Sequence, residues 1–168
     1  MLSHEQTLEW INKHRAWRLA KKTKPIWARP VRPEEVGKEF QTADLAVEKA
    51  QEGYWLCVGV AGEPWFQKLD RINTRYDRGE DTVKRFTFDT EPRSYTIYQP
   101  KGDVRNWVAK IEGPGIEGFA VQSSFGTLHS PAGGYAVMDH VPDPYQGAPK
   151  DIWLVQPKLF AATYELEP

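Results

Sequence analysis

One pattern recurs along this chain at a nearly fixed offset, and it restricts the possible folds more than any other feature. An offset of 80 residues carries Gly53, Trp55 and Cys57 onto Gly133, Tyr135 and Val137, and brings Phe40 within one residue of Phe119. Past the next turn the offset becomes 88, carrying Trp65 onto Trp153, Ile72 onto Phe160 and Tyr76 onto Tyr164. The change of eight is a single insertion in Asp139–Lys150, a stretch rich in Pro, Gly and Asp. Insertions are tolerated in exposed turns, so the alignment breaks where a folded chain can accept a break. Self-similarity of this kind marks a structural unit used twice. Each unit reads Gly–aromatic–strand, turn, Trp–strand, Tyr.

The local signals around these anchors are mostly β. Tyr54–Val60 and Trp65–Gln67 flank Ala61-Gly62-Glu63-Pro64, which is turn chemistry, and read as a hairpin. Gly118–Gln122 and Gly126–His129 read as another hairpin, with strands at Tyr95–Gln99, Tyr135–Met138 and Ile152–Val155. Ile26–Val31 reads as a strand that Pro30 keeps off a central position. Thr82–Phe88 can add an exposed strand, and Ala43–Gln51 has helical propensity that tertiary context can override. Two segments read as helix. Residues 3–22 open with Ser3 and Gln6 in capping-box spacing, and Lys24-Pro25 ends them. Val104, Trp107, Val108 and Ile111 form an i, i+3, i+4, i+7 stripe that predicts a short helix at about 103–111. The expected fold is therefore α+β and predominantly β. It comprises an N-terminal amphipathic helix (1–24), a first β-rich unit (25–77), a connector (78–93) and a second unit (94–168), with one compact domain overall as the alternative.

The second copy carries a family resemblance. Ala132-Gly133-Gly134-Tyr135, the Trp153 strand and Phe160-Ala161-Ala162-Thr163-Tyr164-Glu165 resemble the PGDYG-domain family of small bacterial and phage proteins. Gly53-Tyr54-Trp55-Leu56, Gly59-Val60-Ala61-Gly62-Glu63 and Tyr76 resemble the same pattern in the first copy. Both depart from the signature, whose Asp is replaced by Tyr54 in one and Gly134 in the other. The resemblance implies a small β-rich domain of bacterial or phage origin, and it supplies no catalytic residues.

Composition narrows function by exclusion. The net formal charge is −1, so no overall field favours nucleic acid or membrane. No apolar stretch approaches the ~18 residues of a membrane span. The polar N-terminus Ser3-His4-Glu5-Gln6 does not read as a signal peptide, and the expected compartment is the cytoplasm. Cys57 is the only cysteine, which excludes an intrachain disulfide and a cysteine-based metal site. No motif calls for a metal or a cofactor.

Three sets of residues are candidates for function. Trp55, Trp65, Tyr135 and Trp153 occupy equivalent points of the two units and can line a surface for a protein or small-molecule partner. His129, Asp139 and His140 can support base chemistry if the strands near them pair, as a small hydrolase-like enzyme requires. Between Lys13 and Lys38 there are nine Lys or Arg and two acids, Glu34 and Glu35. Within that segment Arg18, Lys21 and Lys22, with Trp17 for base stacking, suit single-stranded nucleic acid. The leading expectation is a non-enzymatic binding or regulatory protein using the aromatic surface. The oligomeric state is open.

Overall fold

The computed structural model describes residues 1–42, 46–124, 126–147 and 151–168. The fold is α+β and predominantly β. Helix α1 (His4–His14) opens on the expected capping box, in which Ser3 and Gln6 bond each other's backbone. It stops eight residues short of the sequence expectation. Arg15 takes the left-handed conformation (φ 49°) as its C-cap, and Arg18–Lys22 is strand β1. The apolar residues beyond the cap explain the switch. Trp17 and Ala20 are buried, and the Trp17 backbone N–H donates to the Tyr145 hydroxyl.

The remaining elements follow in order. They are β2 (Ile26–Pro30), β3 (Glu39–Gln41), β4 (Val47–Lys49), β5 (Trp55–Val58), β6 (Pro64–Gln67), α2 (Leu69–Arg75), β7 (Tyr76–Lys84) and β8 (Arg93–Pro100). Then come β9 (Asn106–Lys110), β10 (Gly118–Ser123), β11 (Gly126–Pro131), β12 (Tyr135–Asp139), β13 (Trp153–Val155), α3 (Pro157–Thr163) and β14 (Tyr164–Leu166). Part of the ambiguous segment Ala43–Gln51 is strand β4, and 43–45 lie outside the described residues. No helix among the described residues is long and apolar enough to cross a membrane.

The expected helix at 103–111 is strand β9. Its apolar stripe is equally the signature of a strand buried on both sides. Trp107, Ala109 and Ile111 pack into one cluster, and Val108 into the cluster on the opposite face. β9 is the middle strand of a five-stranded sheet, so its ladder bonds override its helical spacing.

The chain forms two compact units, neither contiguous in sequence. One takes in Met1–Lys22 and Val104–Pro168, and the other is drawn from within Thr23–Asp103. This division differs from the expected boundaries at both ends. β1 is a sheet strand of the unit that contains the C-terminus. The expected connector begins inside β7, and β8 belongs with β2 rather than with the strands that follow it.

Each unit is built on one antiparallel five-stranded sheet, in the order β13-β12-β9-β1-β14 or β6-β5-β2-β8-β7. Their registers coincide. Trp27 pairs with Val58 and Ile97, and Trp107 pairs with Met138 and Leu19. Cys57 pairs with Trp65, and Val137 with Trp153. Tyr76 opposes Pro100, and Tyr164 opposes Lys22. Each sheet also has a two-stranded hairpin inserted between the same two strands, β3–β4 in one and β10–β11 in the other. Both Gly53 (φ 84°) and Gly133 (φ 93°) hold the left-handed conformation two residues before their strand. At Gly134 a side chain has no room, since an added Cβ would lie 2.1 Å from the Ser130 hydroxyl. In the other unit Tyr54 stands at that point.

β2 is central despite Pro30. The Val31 N–H bonds the Tyr54 carbonyl on the β5 side, so alternation turns the nitrogen of Pro30 toward β8. The β2–β8 ladder ends at Ala28, and no bond is lost there.

Each sheet buries both faces. In one unit Ile72 of α2 packs with Ala28, Cys57 and Tyr98, while the hairpin side holds Phe40, Leu56, Val58, Phe66 and Tyr95. In the other, Phe160 of α3 packs with Ala20, Val108 and Val137. On its second face, Ile11 of α1 and Trp17 join Phe119, Val121, Ala136 and Leu154.

Candidate functional site

The four sequence-predicted rings sort into two equivalent pairs, one in each unit. Alternation along a strand places Trp55 and Cys57 on one face of β5, and the register sets Trp65 beside Cys57 on β6. That is the face covered by α2, where Trp55 and Trp65 are half-buried against the core and Trp55 meets Tyr98 edge-on at 6.5 Å. Tyr135 and Trp153 hold the matching points of β12 and β13 beside α3. There Tyr135 stacks on Phe160 at 3.7 Å and 6°, and Phe160 stacks on Tyr164 at 4.9 Å. The Lys22 ammonium sits 5.7 Å over the Tyr164 ring. Trp65 and Trp153 lie on outer strands, so each pair reaches a sheet edge.

The two faces differ in polarity under their helices. Cys57, Gln67 and Tyr98 occupy points that Val137, Val155 and Ala20 fill in the other unit. Tyr76 and Tyr98 are buried, and burial raises both phenols above their ordinary range. Among the described residues the Tyr98 hydroxyl has no hydrogen-bond partner.

The polar candidates lie apart from these rings. His129 is exposed on β11, paired across the hairpin with Ala120. His140 is exposed after β12 and stacks on Trp107 with centroids 5.9 Å apart. Asp139, between them in sequence, ends β12 opposite Asn106. No hydrogen bond or ring contact joins the two imidazoles. Among the described residues no group of three or more His, Cys, Asp or Glu is placed to hold a metal ion.

The basic segment does not present its tryptophan. Trp17 is 5% exposed and belongs to the core, so its ring is not available to stack on a base. Arg18 is exposed, and Lys21 and Lys22 are half-buried along β1, opposite Glu165 and Tyr164.

Sequence reasoning missed the most polar feature of the interior. Arg29 is 3% exposed and donates to both oxygens of Glu35, at 2.6 and 2.8 Å, and to Asp89 at 3.1 Å. Asp89 also accepts from the Tyr95 hydroxyl at 2.6 Å and the Phe86 backbone N–H. The Arg32 N–H bonds Glu35. Burial works to raise the Glu35 carboxyl, but the Arg29 guanidinium and the Arg32 N–H outweigh it and hold the group below its ordinary value. Tyr95 is raised, chiefly by burial and then by its bond to Asp89. The network fastens the 3-10 turn Pro33–Glu35 and the loop at 85–89 to the sheet. No local signal foretells it, because Asp89 lies 60 residues from Arg29.

Comparison with known proteins adds no relative: no family model, curated protein or solved structure matches the chain.

Proposed function

We propose that this is a non-enzymatic binding or regulatory protein of bacterial or phage origin, acting in the cytoplasm. Its two sequence halves are diverged copies of one PGDYG-like ancestor. Support for the duplication comes from register: the anchors that repeat in sequence fall on the same ladder positions in five paired strands. The observation that carries the binding reading is the placement of Trp55 with Trp65 and of Tyr135 with Trp153. Each pair is half-buried at the same point beside its helix and reaches the outer strand. Rings with one side packed and one side open offer apolar area at low entropic cost, as recognition surfaces do. Two equivalent sites on one chain suit a protein partner that presents apolar side chains twice, where linkage raises the avidity.

Affinity capture with the full chain tests this. A protein partner retained by the wild type is expected to be lost from a Trp65→Leu/Trp153→Leu variant that keeps the native circular dichroism spectrum. Capture of the same partner at undiminished yield by that variant contradicts the proposal.

A further inference from the structure

We infer that the two copies have exchanged their first strands, so that each sheet is completed by the other copy. This rests on the duplication proposed above. The order of elements within one copy is strand, strand, hairpin, strand, strand, helix, strand. The first copy reads β1, β2, β3–β4, β5, β6, α2, β7, and the second reads β8, β9, β10–β11, β12, β13, α3, β14. Had each copy kept its own strands, β1 would lie between β2 and β7, and β8 between β9 and β14. The observed sheets are the reverse: β8 lies between β2 and β7, and β1 between β9 and β14.

The registers show that the strands have traded equivalent places. Leu19 opposes Trp107 as Ile97 opposes Trp27. On the other edge Lys21 opposes Glu165 as Gln99 opposes Asp77. Core positions follow the same correspondence, with Trp17 packing under one sheet as Tyr95 does under the other.

The links between the strands explain why the exchange is favoured. β1 and β2 are joined only by Thr23, Lys24 and Pro25. Folding them back on each other would need a three-residue hairpin loop, whose last residue takes positive φ. That residue is Pro25, whose ring fixes φ near −65°, and it also drives Lys24 into extended backbone. No residue from 22 to 26, or from 100 to 106, has positive φ. Both links run on into the other unit instead of turning back. Each sheet thereby takes its fourth strand from the other copy.

Engineered disulfides in the full chain, in a Cys57→Ala background, test the exchange. Facing residues in an antiparallel hydrogen-bonded pair have Cα atoms about 5.5 Å apart, within disulfide reach. On mild oxidation the Lys21→Cys/Glu165→Cys variant is expected to close an intramolecular bond in most monomers. The Lys21→Cys/Asp77→Cys variant is expected to stay reduced. Gln99→Cys/Asp77→Cys reports on β8 independently, and it too is expected to close. Closure of the Lys21/Asp77 pair within monomers overturns the exchange and leaves the duplication intact. A Lys21/Glu165 bond formed only between two chains overturns the intrachain form. So does failure of every pair to close in variants that keep the native circular dichroism spectrum.

Discussion

Arg29 is the residue on which the interior electrostatics of its unit turn. It is one cation bonded to two carboxylates, Glu35 and Asp89, and its removal takes from both the cation they are paired with. Breaking a buried pair from one side typically costs about 3–5 kcal/mol. Arg29→Met is therefore expected to lower unfolding stability by about that amount in a denaturant titration, and a change of a few tenths would contradict the network's role. Acid acts through the same group. The folded Glu35 carboxyl titrates below its ordinary value of 4.5, so its stabilising contribution is complete above that pH. It is lost as pH falls through the folded value. Thermal scans are expected to show melting temperature falling below pH 4.5 in the wild type, and falling less in Glu35→Gln. The paired glycines make a second residue-scale prediction. Gly53 has no atom within 4 Å of an added Cβ, and Gly133 only ordinary contacts, so Ala at either position is penalised for its positive φ alone. The cost is roughly 1–2 kcal/mol at each, measured by denaturation, and the two should agree.

At the scale of elements, the sheets show what periodicity can and cannot settle. β5, β6, β10, β11, β12 and β13 were legible because turn residues bound short β-branched and aromatic runs. α1 was legible at its start, where Ser3 and Gln6 act locally, but not at its end. Its C-terminal stop depends on Trp17 entering a core built from residues about a hundred positions later, such as Phe119 and Val121. β9 failed for a related reason. A strand buried on both faces loses its alternation, and Val104, Trp107, Val108 and Ile111 then mimic a helical stripe. Hydrogen exchange checks the reassignment. The amides of Val108 and Ala109, central in their sheet, are expected among the slowest in the protein, and those of the exposed edge strand β7 among the faster. Rapid exchange at both Val108 and Ala109 would contradict a central β9. The aromatic site was legible as four residues and as their pairing, since equivalent positions in a repeat share an environment. The Arg29 network was not, because ion pairs between distant segments leave no local pattern.

For the whole molecule, a single fact joins sequence to architecture: an approximate repeat folds into two units whose boundaries are not those of the repeat. Sequence comparison of the halves finds the anchors, but strand exchange is invisible to it, because equivalent strands of the two copies fill the same ladder positions whether exchanged or not. Only the identity of the neighbouring strand distinguishes them. Exchange also ties the copies together, since withdrawing β1 removes the fourth strand from the sheet that β9, β12, β13 and β14 complete. The most direct measurement is therefore of which strand lies beside β1. The Glu167 N–H bonds the Leu19 carbonyl, which makes Ala20 and Leu166, and Lys22 and Tyr164, the pairs without mutual hydrogen bonds. Their α-protons lie close across the strands. In a nuclear Overhauser spectrum of the labelled full chain, α-proton cross-peaks are predicted between Ala20 and Leu166 and between Lys22 and Tyr164. Cross-peaks from Ala20 to Arg78 and from Lys22 to Tyr76 in their place would contradict the exchanged fold.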